Sequence, residues 1–189
     1  MNSQVTQDYV KTNPKIRFNQ GDILHDVRLV QHTGFVDGKA EIKEITLSYG
    51  VIVSQECDLE HDYDNRNNAQ AISHDKYLLN ILVIPAYLTE EFKDGKHLGK
   101  DVIGHSWSSK EMQKIKNNDM IRFHNLKSSA NFQIPELILD FKHLYTVKTN
   151  VLYNDISQTY LATICELFRE YLSQRYTNYL SRIGLPIIN

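Results

Sequence analysis

The chain has 189 residues, of which 41% are hydrophobic and 23% are charged, and its formal net charge is −2. These proportions are those of a globular protein and exclude an intrinsically disordered chain. A pI of about 6.4 also excludes a strongly basic nucleic-acid-binding protein, although a local basic face remains compatible with it.

The cysteines and the apolar runs bear on the compartment. There are two cysteines, Cys57 and Cys165, far apart in the sequence, which is not the density of a secreted disulfide scaffold. Residues 1–8 contain no apolar signal core, and no apolar run approaches the length of a membrane span. We therefore expect a cytoplasmic protein with free thiols and no membrane association.

In chain order, the first half predicts short strands. Residues 1–15 are polar and are expected to be loose, and residues 16–189 are expected to form a single domain. Strand-like or hairpin patterns occupy residues 16–24, 27–31, 33–39 and 40–47. The β-branched run 51–53 predicts a buried central strand, which ends in the polar residues Ser54, Gln55, Cys57 and Asp58.

The second half predicts further strands and two helices. Residues 58–75 are polar and predict a long loop, residues 77–84 predict a buried strand that Pro85 ends, and residues 88–106 look irregular. Ser108 and Glu111 form a capping-box pattern that predicts a short helix. Strands are expected at 120–126, 137–139 and 141–147, and an amphipathic helix over 156–183, stopped by Gly184 and Pro186.

These elements predict a mainly β fold, and their order resembles the SH3-like barrels of the PemK/MazF toxin family. The resemblance rests on Gly21-Asp22-Ile23-Leu24, Val51-Ile52-Val53-Ser54, Leu82-Val83-Ile84-Pro85 and the stretch Leu139 to Val147. It covers about two-thirds of the chain in scattered blocks, by pattern rather than by identity. It implies an SH3-like β-barrel with a short helix and a C-terminal amphipathic helix.

The resemblance also implies a function. Proteins of that family cut RNA, and an arginine-proline pair before the central strand supplies their catalytic arginine; here Tyr49-Gly50 occupies that place. A ribonuclease needs a cation to stabilise the charge that develops on phosphorus. We therefore expect an accessory protein of a prokaryotic defence or stress module that binds nucleic acid or a protein partner without the standard ribonuclease centre. Barrels of that family commonly pair, which implies a homodimer.

Basic residues indicate where nucleic acid, RNA or DNA, would bind. Lys110 and Lys114 lie on the predicted short helix, and Arg122 and Lys142 lie on the late strands. If these side chains share a face, they can contact phosphates despite the negative net charge.

Two alternatives stay open. Cys57, Asp58 and His61 could form a catalytic group, since an imidazole near a thiol favours the thiolate and a hydrolase could use it. The hydrolase could instead depend on a metal ion held by the same residues with His74; because two of the usual four zinc ligands do not make a site, we expect no resident metal and no cofactor. The other alternative is a non-catalytic interaction subunit that presents the segment 58–75 and the last helix.

Overall fold

The computed structural model describes residues 8–71, 75–98, 102 and 104–182, with the backbone alone at 31–33. Within these residues there are eight strands: β1 (Tyr9–Val10), β2 (Asp22–Val36), β3 (Lys39–Ile52), β4 (Asn80–Leu88), β5 (Phe123–Leu126), β6 (Leu137–Asp140), β7 (Tyr145–Lys148) and β8 (Tyr160–Ile164). The same part of the chain holds five α-helices: α1 (Glu56–Arg66), α2 (Thr89–Lys93), α3 (Ser109–Lys116), α4 (Thr149–Thr159) and α5 (Glu166–Leu180). The mainly β character predicted from the sequence is confirmed.

All strand pairs are antiparallel, and they follow the order β1-β8-β2-β3-β4-β6-β5, with β7 also paired to β4. The sheet curls so far that its two ends meet. The hydroxyl of Tyr9, on β1, donates a hydrogen bond of 2.5 Å to the carbonyl of Lys127, one residue beyond β5. A curled antiparallel sheet buries one face around a core, which is how small β folds protect apolar side chains.

The two longest strands, β2 and β3, form a hairpin closed by Asp37 and Gly38. Both turn residues have positive φ, 50° and 72°, as a two-residue turn of type I′ requires. The sequence predicted four separate strand-like or loop segments over residues 27–53. The structure joins them into one ladder from Val36 and Lys39 back to Ile23 and Val51, with a register shift between His32 and Gly34.

Three apolar clusters hold the elements together. One lies where α5 covers the curled sheet, through Leu172 and the partly buried Phe168 and Tyr176. A second lies between the sheet and helices α1 and α4, through Leu59 and Leu152. The third joins α2 and α3 to strands β5 and β6 and contains Phe92, Met112, Ile115, Phe123 and Ile138.

The segment 58–75 is not a loop throughout, because α1 covers its first half. Only Leu59 and Asp62 of that helix are buried, so the apolar periodicity that marks an amphipathic helix is missing from the sequence. Asp62 fixes the helix instead: its carboxylate accepts hydrogen bonds from Arg66 Nε at 2.8 Å and from the Leu78 amide at 2.6 Å. Residues 72–74, at the end of the predicted loop, lie outside the described residues.

The helix predicted over 156–183 is also wrong in its first part. Strand β8 interrupts it at Tyr160–Ile164, between α4 and α5, and pairs with both β1 and β2. Leu161 and Ile164 are three residues apart, which fits a helical stripe, yet in the structure they belong to one strand. The predicted stop at Gly184 and Pro186 lies outside the described residues, and α5 ends at Leu180.

Two further differences concern the ends of elements. Pro85 does not end β4; it sits inside the strand and is paired with Gly50 of β3, and the strand runs on to Leu88. The N-terminal segment predicted to be loose contributes β1 and the buried Lys15. The capping box of the short helix is confirmed, with Ser108 Oγ accepting from the Glu111 amide and Glu111 accepting from the Ser108 amide.

The polar residues after β3 are mainly structural. Ser54 Oγ accepts a hydrogen bond of 2.9 Å from the Leu82 amide, which joins the end of β3 to β4. The carboxylate of Glu56 accepts from Arg17, from the Asn19 side chain and from the Gln20 amide at 2.6–2.9 Å. These bonds tie the start of α1 to the segment before β2. Within the part of the chain that the structure describes, no helix is long and apolar enough to cross a membrane.

Candidate functional site

The candidate site is built around Asp140, at the end of β6. Its side chain is fully buried, and a buried carboxylate is stable only when cations and hydrogen-bond donors satisfy its oxygens. Arg122, just before β5, supplies a bidentate pair: Nε donates to Oδ1 at 2.7 Å and Nη2 to Oδ2 at 2.5 Å. Because β5 and β6 are neighbours in the sheet, this pair fixes the end of both strands.

Asp140 also shapes the segment that follows it. Its Oδ1 accepts a hydrogen bond of 3.0 Å from the backbone amide of Lys142, and its carbonyl accepts one of 3.0 Å from the amide of His143. Asx turns of this kind reverse the chain tightly. As a result, the exposed Lys142 and the partly exposed His143 project from the same short turn as the Arg122–Asp140 pair.

His143 links this turn to β4. Its Nδ1 lies 3.2 Å from the hydroxyl of Tyr87 and 3.5 Å from Asp140 Oδ2, so the ring is held between a phenol and a carboxylate. When Nδ1 carries the proton it donates a hydrogen bond, and when it does not it accepts one from the Tyr87 hydroxyl, so the direction depends on the tautomer of His143. The Nε2 atom of His143 makes no hydrogen bond to any described residue, and the side chain keeps 26% of its surface exposed.

A second histidine stands on the other side of Tyr87. The ring centroids of Tyr87 and His97 are 4.7 Å apart in an edge-on arrangement, and His97 also contacts Phe92 at 4.6 Å. His97 Nδ1 is buried without a hydrogen-bond partner among the described residues. Both Tyr87 and His97 line a cleft of about 260 Å³ between residues 45–49 of β3 and residues 85–88 of β4, with Tyr145 and Glu91 at its border.

Burial governs the ionisation of these groups. It lowers the pKa of His143, and the Arg122 and Lys142 cations lower it further, against the attraction of Asp140. Burial likewise lowers the pKa of His97 and raises the pKa of Tyr87. At neutral pH both imidazoles are therefore neutral and Tyr87 keeps its proton, so the site offers hydrogen-bond donors and acceptors rather than titrating charges.

The fixed positive charges surround this neutral centre. Arg122 is 36% exposed in its side chain, and its Nη1 has no hydrogen-bond partner among the described residues. Tyr179 of α5 lies close enough to help Asp140 raise the pKa of Arg122, and the guanidinium of Arg182 stacks 4.4 Å from the Tyr179 ring. Three cations, from Arg122, Lys142 and Arg182, thus border one surface that also carries aromatic rings.

The structure brings together two of the four residues that the sequence predicted for nucleic-acid binding, Arg122 and Lys142. Lys110 and Lys114 lie on the exposed side of α3, one turn apart, while Met112 and Ile115 of the same helix are buried. No contact in the described part of the chain joins these two lysines to Asp140 or its partners. Helix α3 nevertheless packs against Phe123, the residue after Arg122.

Of the three predicted catalytic residues, only Cys57 and Asp58 are joined, by a weak hydrogen bond from the thiol to the carboxylate. All three are exposed on α1, and Cys57 Sγ lies 3.7 Å from Gln55 Oε1 and 3.8 Å from Asp58 Oδ1. No hydrogen bond joins Cys57 to His61 among the described residues. Within those residues no group of three or more His, Cys, Asp or Glu side chains is arranged to hold a metal ion, and His74 lies outside them.

The chain matches no protein-family model, no curated protein and no solved structure. The site therefore has to be interpreted from its own geometry. Tyr87 and His97 were not predicted as site residues. A signal for Tyr87 was present, because an amphipathic aromatic residue directly after a buried apolar run is often placed at the border of a core.

Proposed function

We propose that the chain is a cytoplasmic, single-stranded nucleic-acid-binding protein of a prokaryotic defence or stress module, on an SH3-like barrel of the toxin type. It lacks the ribonuclease centre of that family. The observation that carries the proposal is the bidentate pair of Arg122 with the buried Asp140, whose carboxylate also holds the backbone amide of Lys142, beside the Tyr87–His143 pair. The family and the cellular setting rest on the sequence resemblance alone.

The surface has the two components that single-stranded nucleic acid requires. Cationic side chains contact phosphates, and aromatic rings accept stacked bases without selecting a particular sequence. Arg122, Lys142 and Arg182 supply the first component, while Tyr179 and the cleft beside Tyr87 and His97 supply the second. Arg122 is oriented by Asp140 before any ligand arrives, so little side-chain entropy is lost on binding.

The position that holds the family's catalytic arginine supports binding rather than cleavage. Tyr49 and Gly50 stand there, and Gly50 lies against Val83, where even a Cβ atom would approach to 2.6 Å. The arginine of the family's pair corresponds to Tyr49, which carries no cation, and Gly50 has no room for a larger side chain. A hydrolase centred on Cys57, Asp58 and His61 is the alternative; the absence of a hydrogen bond between Cys57 and His61 in the described structure favours binding.

The experiment is a titration of fluorescein-labelled single-stranded RNA and DNA oligonucleotides by fluorescence anisotropy at several salt concentrations. We expect affinity to fall with salt, and Lys142→Ala to reduce the slope of log K against log salt by about one, since one phosphate contact is lost. Arg182→Ala should act similarly. Arg122→Ala is unsuitable, because it leaves Asp140 buried and unpaired.

The matched control is Lys76→Ala, which removes one exposed lysine from outside the surface. Binding that is absent, or that Lys142→Ala and Lys76→Ala change equally, would contradict the proposal. The pair Lys110→Ala and Lys114→Ala shows whether the nucleic acid extends to α3.

A further inference from the structure

The cleft beside Tyr87 lies where β3 and β4 separate. In the described structure the two strands pair only where Gly50–Ile52 faces Val83–Pro85. Beyond Pro85, β4 continues to Leu88 paired with β6, whereas the part of β3 that precedes Gly50 is paired with β2. The space between the diverging strands is the cleft of about 260 Å³. Pockets for drug-sized ligands typically measure about 300–1,000 Å³, so this cleft suits a single flat ring system.

Aromatic side chains form much of the cleft wall. Tyr49 of β3, Tyr87 of β4 and Tyr145 of β7 all line it, and each is partly buried. Tyr87 is held on two sides, since its hydroxyl lies 3.2 Å from His143 Nδ1 and its ring centroid lies 4.7 Å from that of His97. A wall that is fixed before the ligand arrives loses little entropy on binding, and tyrosine rings accept the face of a nucleobase.

The polar groups of the cleft come from α2 and the segment that follows it. Glu91 of α2 lines the cleft and is exposed, and in the described structure its carboxylate makes no hydrogen bond or ion pair. His97 adds its Nδ1 atom, which is buried without a hydrogen-bond partner among the described residues. Because His97 is neutral at pH 7, Glu91 is the one charged side chain among the described residues that line the cleft.

This carboxylate stands beside a surface that is otherwise cationic. Burial lowers the pKa of His97 and the charge of Arg122 lowers it further, so the cleft lies within electrostatic reach of that guanidinium. An anion in this position repels phosphate groups and attracts hydrogen-bond donors. The distribution of charge therefore fits a nucleotide whose phosphate lies at Arg122 and Lys142 and whose base presents donors to Glu91.

Guanine is the base whose edge matches a carboxylate. Its Watson–Crick edge carries two neighbouring donors, N1–H and N2–H, which can bind the two oxygens of one carboxylate. Adenine and cytosine place a ring nitrogen with a lone pair beside their amino group, and uracil flanks its N3–H with two carbonyl oxygens. These acceptors would face Glu91 without a donor between them, and an unpaired polar contact of this kind lowers affinity.

We propose that the cleft binds one guanine base of a single-stranded nucleic acid, with Glu91 accepting hydrogen bonds from N1–H and N2–H. The guanine ring lies against the tyrosine wall, and His97 Nδ1, when it carries the proton, is the donor available to O6. This assignment rests on the proposed function, because Arg122 and Lys142 are the groups that hold the adjoining phosphates. It adds base selectivity to a surface whose other contacts are independent of sequence.

The first test measures that selectivity by fluorescence anisotropy. The probes are short uridine RNAs whose central base is guanine, adenine, cytosine or uridine, because a single guanine cannot form a quadruplex. We expect the guanine RNA to bind about tenfold more tightly than the other three, as one bidentate base contact provides. Glu91→Gln should remove most of this preference, since its amide turns a donor toward the guanine donors, and should leave the affinity for the all-uridine RNA unchanged.

The matched control is Glu90→Gln. Glu90 is the preceding residue of the same helix and is also exposed, but it does not line the cleft, so this variant should keep the preference for guanine. Both substitutions are isosteric and lie on the surface, so the fold should persist, and circular dichroism verifies it. A preference for guanine that survives Glu91→Gln, or that Glu90→Gln removes equally, would overturn the assignment of Glu91.

A second test identifies the edge of the base that is bound. Inosine lacks the N2 amino group, so replacing the central guanine by inosine should weaken binding to the wild type about fivefold and should have no effect in Glu91→Gln. 7-Deazaguanine lacks only the N7 acceptor and should bind as guanine does. Equal binding of guanine and inosine, or a loss of affinity with 7-deazaguanine, would overturn recognition through the Watson–Crick edge.

The outcomes separate this proposal from the one on which it rests. If all four RNAs bind equally and their affinity falls with salt, the nucleic-acid-binding surface stands and the guanine site is overturned. If no RNA binds, both are overturned. A tri-arginine peptide is the remaining probe: if it binds the wild type and not Glu91→Gln, while the RNAs show no preference among bases, the cleft takes a basic side chain and the guanine site is again overturned.

Discussion

Lys15 and Asp22 form an ion pair of 2.8 Å, and their side chains are only 3% and 0% exposed. Asp22 accepts two further hydrogen bonds, from the Asn19 amide at 2.8 Å and from Thr163 Oγ1 at 2.6 Å. Lys15 also lies 4.4 Å from the ring centroid of Tyr160. This one carboxylate, in the Gly-Asp-Ile segment that resembles the toxin family, therefore joins the N-terminal segment to β2 and β8.

The first prediction concerns this ion pair. Asp22→Asn leaves the ammonium of Lys15 buried without a counter-charge, and breaking a buried pair in this way costs about 3–5 kcal/mol of unfolding free energy. Urea unfolding followed by circular dichroism measures the loss. Asp37→Asn, at the hairpin turn, is the control and should change little. The double variant Lys15→Met with Asp22→Asn should be more stable than Asp22→Asn alone; if it is less stable, the pair is not the cause.

The second prediction concerns Gly50, where β3 meets β4. An added Cβ would lie 2.6 Å from Cγ1 of Val83, which is fully buried and β-branched, so the neighbour cannot move away freely. Gly50→Ala should therefore destabilise the fold by about 1–3 kcal/mol, as overpacking of a core does. Gly34→Ala meets nothing within 4 Å and is the matched control. Adding Val83→Ala to Gly50→Ala should relieve part of the loss that Gly50→Ala causes.

The third prediction concerns His124, on β5. Its ring is buried, and neither ring nitrogen has a hydrogen-bond partner among the described residues. Burial, aided by Arg175, lowers its pKa to about 3. In the unfolded chain the same imidazole takes up a proton near pH 6.5, so unfolding binds a proton between these two values and the unfolding free energy falls as the pH falls through that range.

Replacement of this residue should therefore flatten the pH dependence. His124→Leu cannot bind a proton in either state, and relative to the wild type it should gain ~2 kcal/mol at pH 5, beyond any difference at pH 8. Urea unfolding at both pH values measures the gain. The pKa values of His97 and His143 are lowered too, but both residues are present in the wild type and in His124→Leu, so their contributions cancel in the comparison. An equal effect of His124→Leu at pH 5 and pH 8 would show that His124 is not held neutral.

The fourth prediction concerns the two thiols. Cys57 is exposed, whereas Cys165 is partly buried and burial raises its pKa. Iodoacetamide at neutral pH should therefore modify Cys57 first, as peptide mass spectrometry would show. Cys57→Ala should bind single-stranded oligonucleotides as the wild type does, because Cys57 is not part of the proposed surface. Loss of binding in Cys57→Ala would move the functional site to α1.

The sequence predicted those parts of the fold that local patterns determine. Ser108 and Glu111 identified the start of α3, and the run 51–53 marked the centre of the sheet. Strand β8 was missed because Leu161 and Ile164 have helical spacing, and the partners that make them a strand, Tyr9 and Asp22 to Leu24, are distant in sequence. Helix α1 was missed because a buried carboxylate stabilises it rather than an apolar face.

The site was predictable only in part, for a similar reason. Arg122 and Lys142 were recognised as basic residues on late strands, but nothing in their spacing predicts that Asp140 joins them. Tyr87 was placed beyond the end of its strand because Pro85 was expected to end β4. Pro85 is tolerated inside that strand, where its partner is Gly50. Contacts made by side chains across the sheet are properties of the fold rather than of any one segment.

The pairing of β1 with β8 has a consequence for synthesis of the protein. Tyr9 faces Ile164 in the register, so β1 leaves the ribosome 155 residues before the strand with which it pairs. Until β8 emerges, β1 and the start of β2 have open backbone edges, and Ile23 and Leu24 lack part of their cover. These strands therefore cannot complete their pairing until β8 has emerged, and we expect chaperones that shield apolar strands to assist folding.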